Sequence, residues 1–99
     1  MQRKGPQLFP SDQRRLQELG ERFRLARLRR KFSVGTAATR AGISRTTLYK
    51  VERGDSAVTL GVYVRVLAVY GLSDEIDRMA VDDALGRRLQ DLALMPDRT

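Results

Sequence analysis

One ten-residue segment, SRTTLYKVER at residues 44–53, combines side chains that could read the edges of nucleobases. At about 100° per residue, a helix over 45–53 would present cations, hydroxyls and one aromatic ring on an arc of roughly 140°. The major groove of DNA is about 12 Å wide and admits one helix, in which arginine or lysine binds guanine O6 and N7 and threonine contacts a thymine methyl group. The segment therefore favours a DNA-reading helix over an ordinary solvated face. The outward residues are Arg45, Thr46, Tyr49, Lys50 and Arg53, and the opposite side carries Thr47, Leu48, Val51 and Glu52.

The residues before this segment predict a turn that would hold it in place. Ser33 is placed to cap a short helix over 34–40, and Gly42 is placed to end it because glycine adopts positive φ without a steric penalty. Ser44 can then cap the next helix, which Gly54 ends. Two short helices joined by a glycine turn have helix-turn-helix spacing. This turn, its caps and the basic face coincide, and that coincidence is the reason to favour DNA reading.

Apolar residues at helical spacing predict further helices on both sides of the turn. We expect an all-α fold, a compact domain of five helices with a possible sixth in the C-terminal tail. The arginines of the first helix could also suit a membrane surface, but they nearly surround it, so a core helix is favoured. The expected elements are a helix over 12–31 capped by Ser11 or Asp12, one over 60–70 capped by Thr59, one over 73–81 and one ending before Pro96. The expected organisation is a flexible basic arm at 1–10, the DNA-binding domain at 11–81 and a tail at 82–99 that could contact a dimer mate or partner.

Composition narrows the function classes. The 99 residues include no cysteine and no histidine, so thiolate or imidazole metal sites and histidine-assisted nucleophiles have no components, and we expect no enzyme, no metal and no cofactor. Residues 1–53 hold 14 Lys+Arg against 4 Asp+Glu, whereas 54–99 hold 5 against 8, so the positive charge is concentrated in the first half. A polyanion such as duplex DNA is the partner that this asymmetry suits. No apolar run long enough for a membrane span and no signal-peptide core is visible, so a cytoplasmic protein is expected.

The block at residues 19–54 resembles the Xre family, the phage Cro and repressor type of helix-turn-helix proteins, whose fold is lambda-repressor-like. The resemblance is carried by the turn, the apolar anchors around it and the closing ERG at 52–54. It implies an ion pair between Arg27 and Glu52. It also implies base contacts by Arg45, Thr46 and Lys50, and contacts to phosphate or thymine methyl groups by Ser44, Thr47 and Tyr49. The motif positions are Ala38, Gly42, Ile43, Leu48 and Val51.

The start of the second helix departs from the family pattern. The family usually has a glutamine at the position of Val34, and its side chain helps to grip the DNA backbone. Here the backbone N–H groups after Ser33 could still bind a phosphate, through a weaker contact. Ala37 and Ala41 also stand where leucines are usual, which implies a tighter helix crossing or compensating bulk from Phe32 and Tyr63.

The segment after the motif, from VTLGVYVRVLAVYGLSDEI to the tail with LGRRL, is similar to antitoxins of the HipB type, small repressors that bind kinase toxins of the HipA type. The two resemblances together imply a homodimeric repressor that reads a palindromic operator, regulates its own promoter and acts as the antitoxin of a HipA-type kinase toxin. The alternative is a free-standing Xre-family regulator without a toxin partner.

Overall fold

A computed structural model describes residues 7–81 and 84–92 of the chain. These residues form six helices and contain no strand, which confirms the predicted all-α fold. The helices are α1 (Pro10–Arg29), α2 (Val34–Ala41), α3 (Arg45–Arg53), α4 (Leu60–Val69), α5 (Asp74–Asp77) and α6 (Ala84–Asp91). Residues 1–6 of the predicted arm and residues 82–83 and 93–99 of the predicted tail lie outside the described part.

The first helix begins earlier than its sequence predicted. Phe9 occupies the N-cap position with extended backbone, and Pro10 is the first helical residue. Proline suits this position because its missing N–H would have had no partner in the first turn. The prediction that Ser11 or Asp12 caps the helix is therefore wrong, and the Asp12 carboxylate instead accepts a hydrogen bond from Arg15. The helix ends at Arg29, two residues before the predicted end.

A single apolar core lies between α1, α2, α3 and α4. Its most completely buried large side chains are Leu48, Val51 and Val66. The small residues Ala37, Ala38 and Ala41 are also buried, so α2 packs closely against its neighbours. Tyr63 fills part of the remaining space with its ring edge-on to Phe23, at 5.3 Å between centroids.

Two glycines allow α1 and the end of α3 to touch backbone to backbone. A Cβ built on Gly20 would lie 2.7 Å from the carbonyl oxygens of Val51 and Glu52. A Cβ on Gly54, which has φ of 74°, would lie 2.6 Å from the Cα of Gln17. Gln13 adds a hydrogen bond from Nε2 to the Gly54 carbonyl oxygen at 2.8 Å. These contacts fix the position of α3 relative to the longest helix.

A buried ion pair reinforces the same junction. Arg27 donates from Nε to Glu52 Oε2 at 2.7 Å and from Nη2 to Glu52 Oε1 at 3.1 Å, so the pair is bidentate. Arg27 Nη1 also donates to the carbonyl oxygen of Phe32 at 3.0 Å. The side chains are 10% and 7% exposed. The ion pair that the family resemblance implied is thus present, and it joins α1 to the last turn of α3.

The second half of the domain differs from expectation at several helix ends. Thr59 precedes α4 without a capping side-chain hydrogen bond, and α4 ends at Val69. The predicted helix over 73–81 is reduced to α5, and Ser73 does not cap it because its backbone is already helical and its side chain makes no capping bond. None of the helices in the described residues combines the length and the apolar character needed to cross a bilayer.

Candidate nucleic-acid interface

The turn between α2 and α3 is held by local hydrogen bonds. The Ser33 hydroxyl accepts from the N–H of Thr36 at 3.0 Å, and the Ser44 hydroxyl accepts from the N–H of Thr47 at 3.0 Å. Between the helices Gly42 adopts φ of 72°, and the N–H of Ile43 donates back to the Ala38 carbonyl oxygen at 3.0 Å. This is the pattern by which a left-handed glycine satisfies the last carbonyls of a helix. The two serine caps and the two helix-ending glycines predicted from sequence are all present.

Opposite sides of α3 face the core and the solvent. Leu48 and Val51 are completely buried, whereas Arg45, Thr46 and Arg53 are exposed and Tyr49 is 51% exposed. Burial of the two apolar anchors fixes the rotation of the helix about its axis. Four of the five residues predicted to face outward are therefore exposed, namely Arg45, Thr46, Tyr49 and Arg53.

Two of the predicted DNA-contact residues on α3 are less exposed than the others. Thr47 is half-buried and its hydroxyl shares a hydrogen bond with the Ser44 hydroxyl at 2.9 Å. Lys50 is also half-buried, which places it at the edge of the exposed face rather than at its centre. The centre of the face, formed by Arg45, Thr46 and Tyr49, is thus exposed, whereas Thr47 and Lys50 at its margin are partly covered.

The start of α2 lies beside the start of α3. The guanidinium of Arg45 reaches the first turn of α2, where it packs against Gly35. Ser33 is exposed, and Val34 is half-buried with its side chain packed against the core. The structure thus brings the predicted backbone-contact positions Ser33 and Val34 next to the exposed face of α3, although the side chain of Val34 does not point to solvent as a glutamine would.

The exposed face of α3 carries uncompensated positive charge. Arg45, Lys50 and Arg53 form no ion pair within the part of the chain that the structure describes. Glu52, the one carboxylate of α3, is turned inward and neutralised by Arg27. The hydrogen bond that Arg27 donates to Glu52 raises the pKa of Arg27 above its already high ordinary value, so this internal pair stays ionised. The helix therefore offers cations and hydroxyls outward with no competing anion.

Several residues that support the interface were not singled out by the sequence. Gly20 allows the close approach of α1 and α3, and Arg65 Nη1 donates to the Ala41 carbonyl oxygen at 3.3 Å near the end of α2. Gly35 makes room for Arg45. The available signal for Gly20 and Gly35 was a glycine inside a predicted helix, where a packing reason is the usual explanation.

Comparison with known proteins agrees with this geometry. A family model described as a helix-turn-helix domain matches residues 18–79, which is more than half of the chain. No curated protein and no solved structure matches the chain significantly. The matched family is related to Xre-type helix-turn-helix proteins and is typically not enzymatic. The chain therefore belongs to the helix-turn-helix domain family, and this membership indicates a DNA-binding regulator.

Proposed function

We propose that the protein is a homodimeric, sequence-specific transcriptional repressor that inserts α3 into the major groove of a near-palindromic operator. The observation that carries the proposal is the exposed, positively charged face of α3, which stands opposite a completely buried apolar face on the same nine-residue helix. A helix held rigidly in this way can present several donors to base edges at once.

The residues of the interface have distinct roles in this proposal. Arg45, Thr46 and Lys50 contact bases, because they lie on the exposed face or at its margin. Ser44, Thr47 and Tyr49 contact phosphate or thymine methyl groups. The side chain of Arg53 contacts the DNA backbone. The backbone N–H groups at the start of α2, after Ser33 and beginning at Val34, bind a phosphate there because the helix dipole favours an anion.

A second surface of the domain, separate from α3, is the proposed dimer interface. An apolar groove of about 630 Å³ lies between α1, α4 and α5, and none of its lining residues belongs to α2 or α3. Leu60 and Met79 at this groove are 57% and 58% exposed. A second copy could cover these apolar groups and leave both α3 faces free for successive major grooves. Half-sites would then lie about one helical turn apart.

Selection of bound fragments from random duplexes tests the repressor proposal, because it returns the site, its symmetry and its spacing together. The proposal expects a near-palindrome, and Arg45→Ala should then weaken binding by about 1–3 kcal/mol and relax preference at one base pair of each half-site. Arg53→Ala should instead weaken all sequences alike and reduce the salt dependence. Unchanged operator preference in Arg45→Ala would remove that residue from base reading.

Sedimentation analysis tests the dimer. Met79→Asp should produce a monomer, because it places a carboxylate in the groove, whereas Leu25→Asp should not, because Leu25 is 40% exposed outside the groove. A native protein that sediments as a monomer at micromolar concentration would refute this part of the proposal.

The second candidate function is an antitoxin that holds a HipA-type kinase inactive and regulates its own promoter. Its support is the separation of the apolar groove from α3, since a kinase could bind there in place of the second copy while the domain stays on DNA. A kinase reading frame beside this gene and co-purification of its product would favour the antitoxin. An isolated gene with repression intact would favour a free-standing regulator.

A further inference from the structure

Gly35 occupies a position where the backbone does not require glycine. It is the second residue of α2, and its φ is not positive, in contrast to that of Gly42, Gly54 and Gly71. Within a helix, glycine is less favourable than alanine because it loses more backbone freedom on folding. The choice of glycine at this position therefore needs an explanation outside the helix itself.

The space that a side chain would occupy at position 35 is filled by Arg45. A Cβ built on Gly35 would lie 2.8 Å from Nη2, 3.1 Å from Nε and 3.2 Å from Cζ of that residue. A methyl group and the guanidinium cannot both occupy this space. The side chain of Arg45 makes no hydrogen bond or ion pair with another described residue, so no polar contact draws it away from this packing.

We propose that Gly35 is a positioning residue for DNA reading, because it lets the Arg45 guanidinium lie over the first turn of α2 before DNA arrives. This inference rests on the proposed function, in which Arg45 contacts a base. A long arginine side chain loses rotamer freedom when it is immobilised on binding, and a side chain already held in place loses less. Removing the space at position 35 should therefore weaken the contact that Arg45 makes with its base.

Gly35→Ala should weaken operator binding without lowering the thermal stability of the protein. Gly35→Ala should leave the thermal midpoint unchanged or higher, because alanine favours the helix and a flexible guanidinium can move aside. The same substitution should weaken operator binding about three- to tenfold, the effect of ordering one additional long side chain. It should also relax preference at the same base pair as Arg45→Ala does.

Gly61→Ala is the matched control. Gly61 also lies within a helix, but a Cβ there would meet nothing closer than the Thr59 hydroxyl oxygen at 3.9 Å. This variant should gain stability in the same way and bind the operator like the native protein. The comparison separates the general effect of replacing a helical glycine from the specific effect on Arg45.

The test is a double-mutant cycle on the selected operator with the full chain, using fluorescence anisotropy and thermal unfolding. The proposal expects the binding loss of Gly35→Ala to disappear in the Arg45→Ala background. It is overturned if Gly35→Ala binds like the native protein, if it loses the same affinity in both backgrounds, or if its thermal midpoint falls. A native protein without a preferred duplex would refute the proposed function and this inference together, whereas a selective native protein matched by Gly35→Ala would refute this inference alone.

Discussion

The buried pair of Arg27 and Glu52 offers the sharpest prediction about stability, because replacing Glu52 by glutamine keeps its shape and removes its charge. In the native protein Glu52 receives two hydrogen bonds from Arg27, and both side chains are at least nine-tenths buried. The variant leaves the guanidinium charged, since the ordinary pKa of an arginine side chain already lies above the experimental pH range. An uncompensated cation would then remain beneath α3.

The expected cost follows from this geometry. Removing one partner of a buried ion pair costs about 3–5 kcal/mol, and the amide oxygen that remains in Glu52→Gln places the expectation at the lower end, about 3 kcal/mol. For a domain of this size that corresponds to a fall in the thermal midpoint of roughly 12 °C or more. Glu21→Gln is the matched control, because Glu21 pairs with Arg24 on the surface with both side chains about half exposed. An exposed pair of this kind is worth less than about 1 kcal/mol.

Urea unfolding followed by circular dichroism measures these differences. The double variant Arg27→Met with Glu52→Leu should recover most of the lost stability, because two apolar groups leave no charge without a partner. The reasoning would be refuted if Glu52→Gln lost no more stability than Glu21→Gln. It would also be refuted if the double variant were less stable than Glu52→Gln.

Further predictions concern the core tyrosine Tyr70, a helix cap and a turn glycine. Burial raises the pKa of Tyr70 to about 12. The stability linked to its neutral form should therefore be complete below pH 10 and be lost as the pH rises from 10 to 12, and urea unfolding at several pH values should show a smaller loss in Tyr70→Phe than in the native protein. At pH 7 the same variant should be equally or more stable, because the Tyr70 hydroxyl is buried without a hydrogen-bond partner in the described structure. Ser44→Ala should cost about 1 kcal/mol of unfolding free energy through loss of the α3 cap, and an equal loss in Ser56→Ala, an exposed serine, would contradict this. Gly54→Ala should lower the thermal midpoint more than Gly71→Ala, because both have positive φ but only Gly54 abuts another backbone.

The helix-turn-helix could be predicted closely because its signals are local. Ser33 and Ser44 at the N-caps, Gly42 and Gly54 at the ends and the apolar pair Leu48 and Val51 each act within one or two turns of the chain. The bounds of α3 were predicted to the residue. Where a signal and its structural effect lie within a few residues of one another, the sequence is sufficient to predict the helix and its ends.

Predictions failed where several local signals competed or where the cause lay far along the chain. Ser11 and Asp12 both suit a cap, but Pro10 has the φ value of a first helical residue and moved the start of α1 upstream. The acidic residues after Ser73 favour a helix start without fixing its length, so α5 came out shorter than expected. The contact between Gly35 and Arg45 depends on how α2 and α3 cross, and the spacing of residues within either helix does not contain that information.

Methylation interference on the selected operator tests the central claim most directly, because dimethyl sulfate modifies guanine at N7 in the major groove and adenine at N3 in the minor groove. We expect guanine N7 methylation to block binding in each half-site, adenine N3 methylation there to have little effect, and one guanine block to disappear in Arg45→Ala. Interference confined to adenine N3 would contradict insertion of α3 into the major groove, and an unchanged pattern in Arg45→Ala would remove Arg45 from the guanine contact.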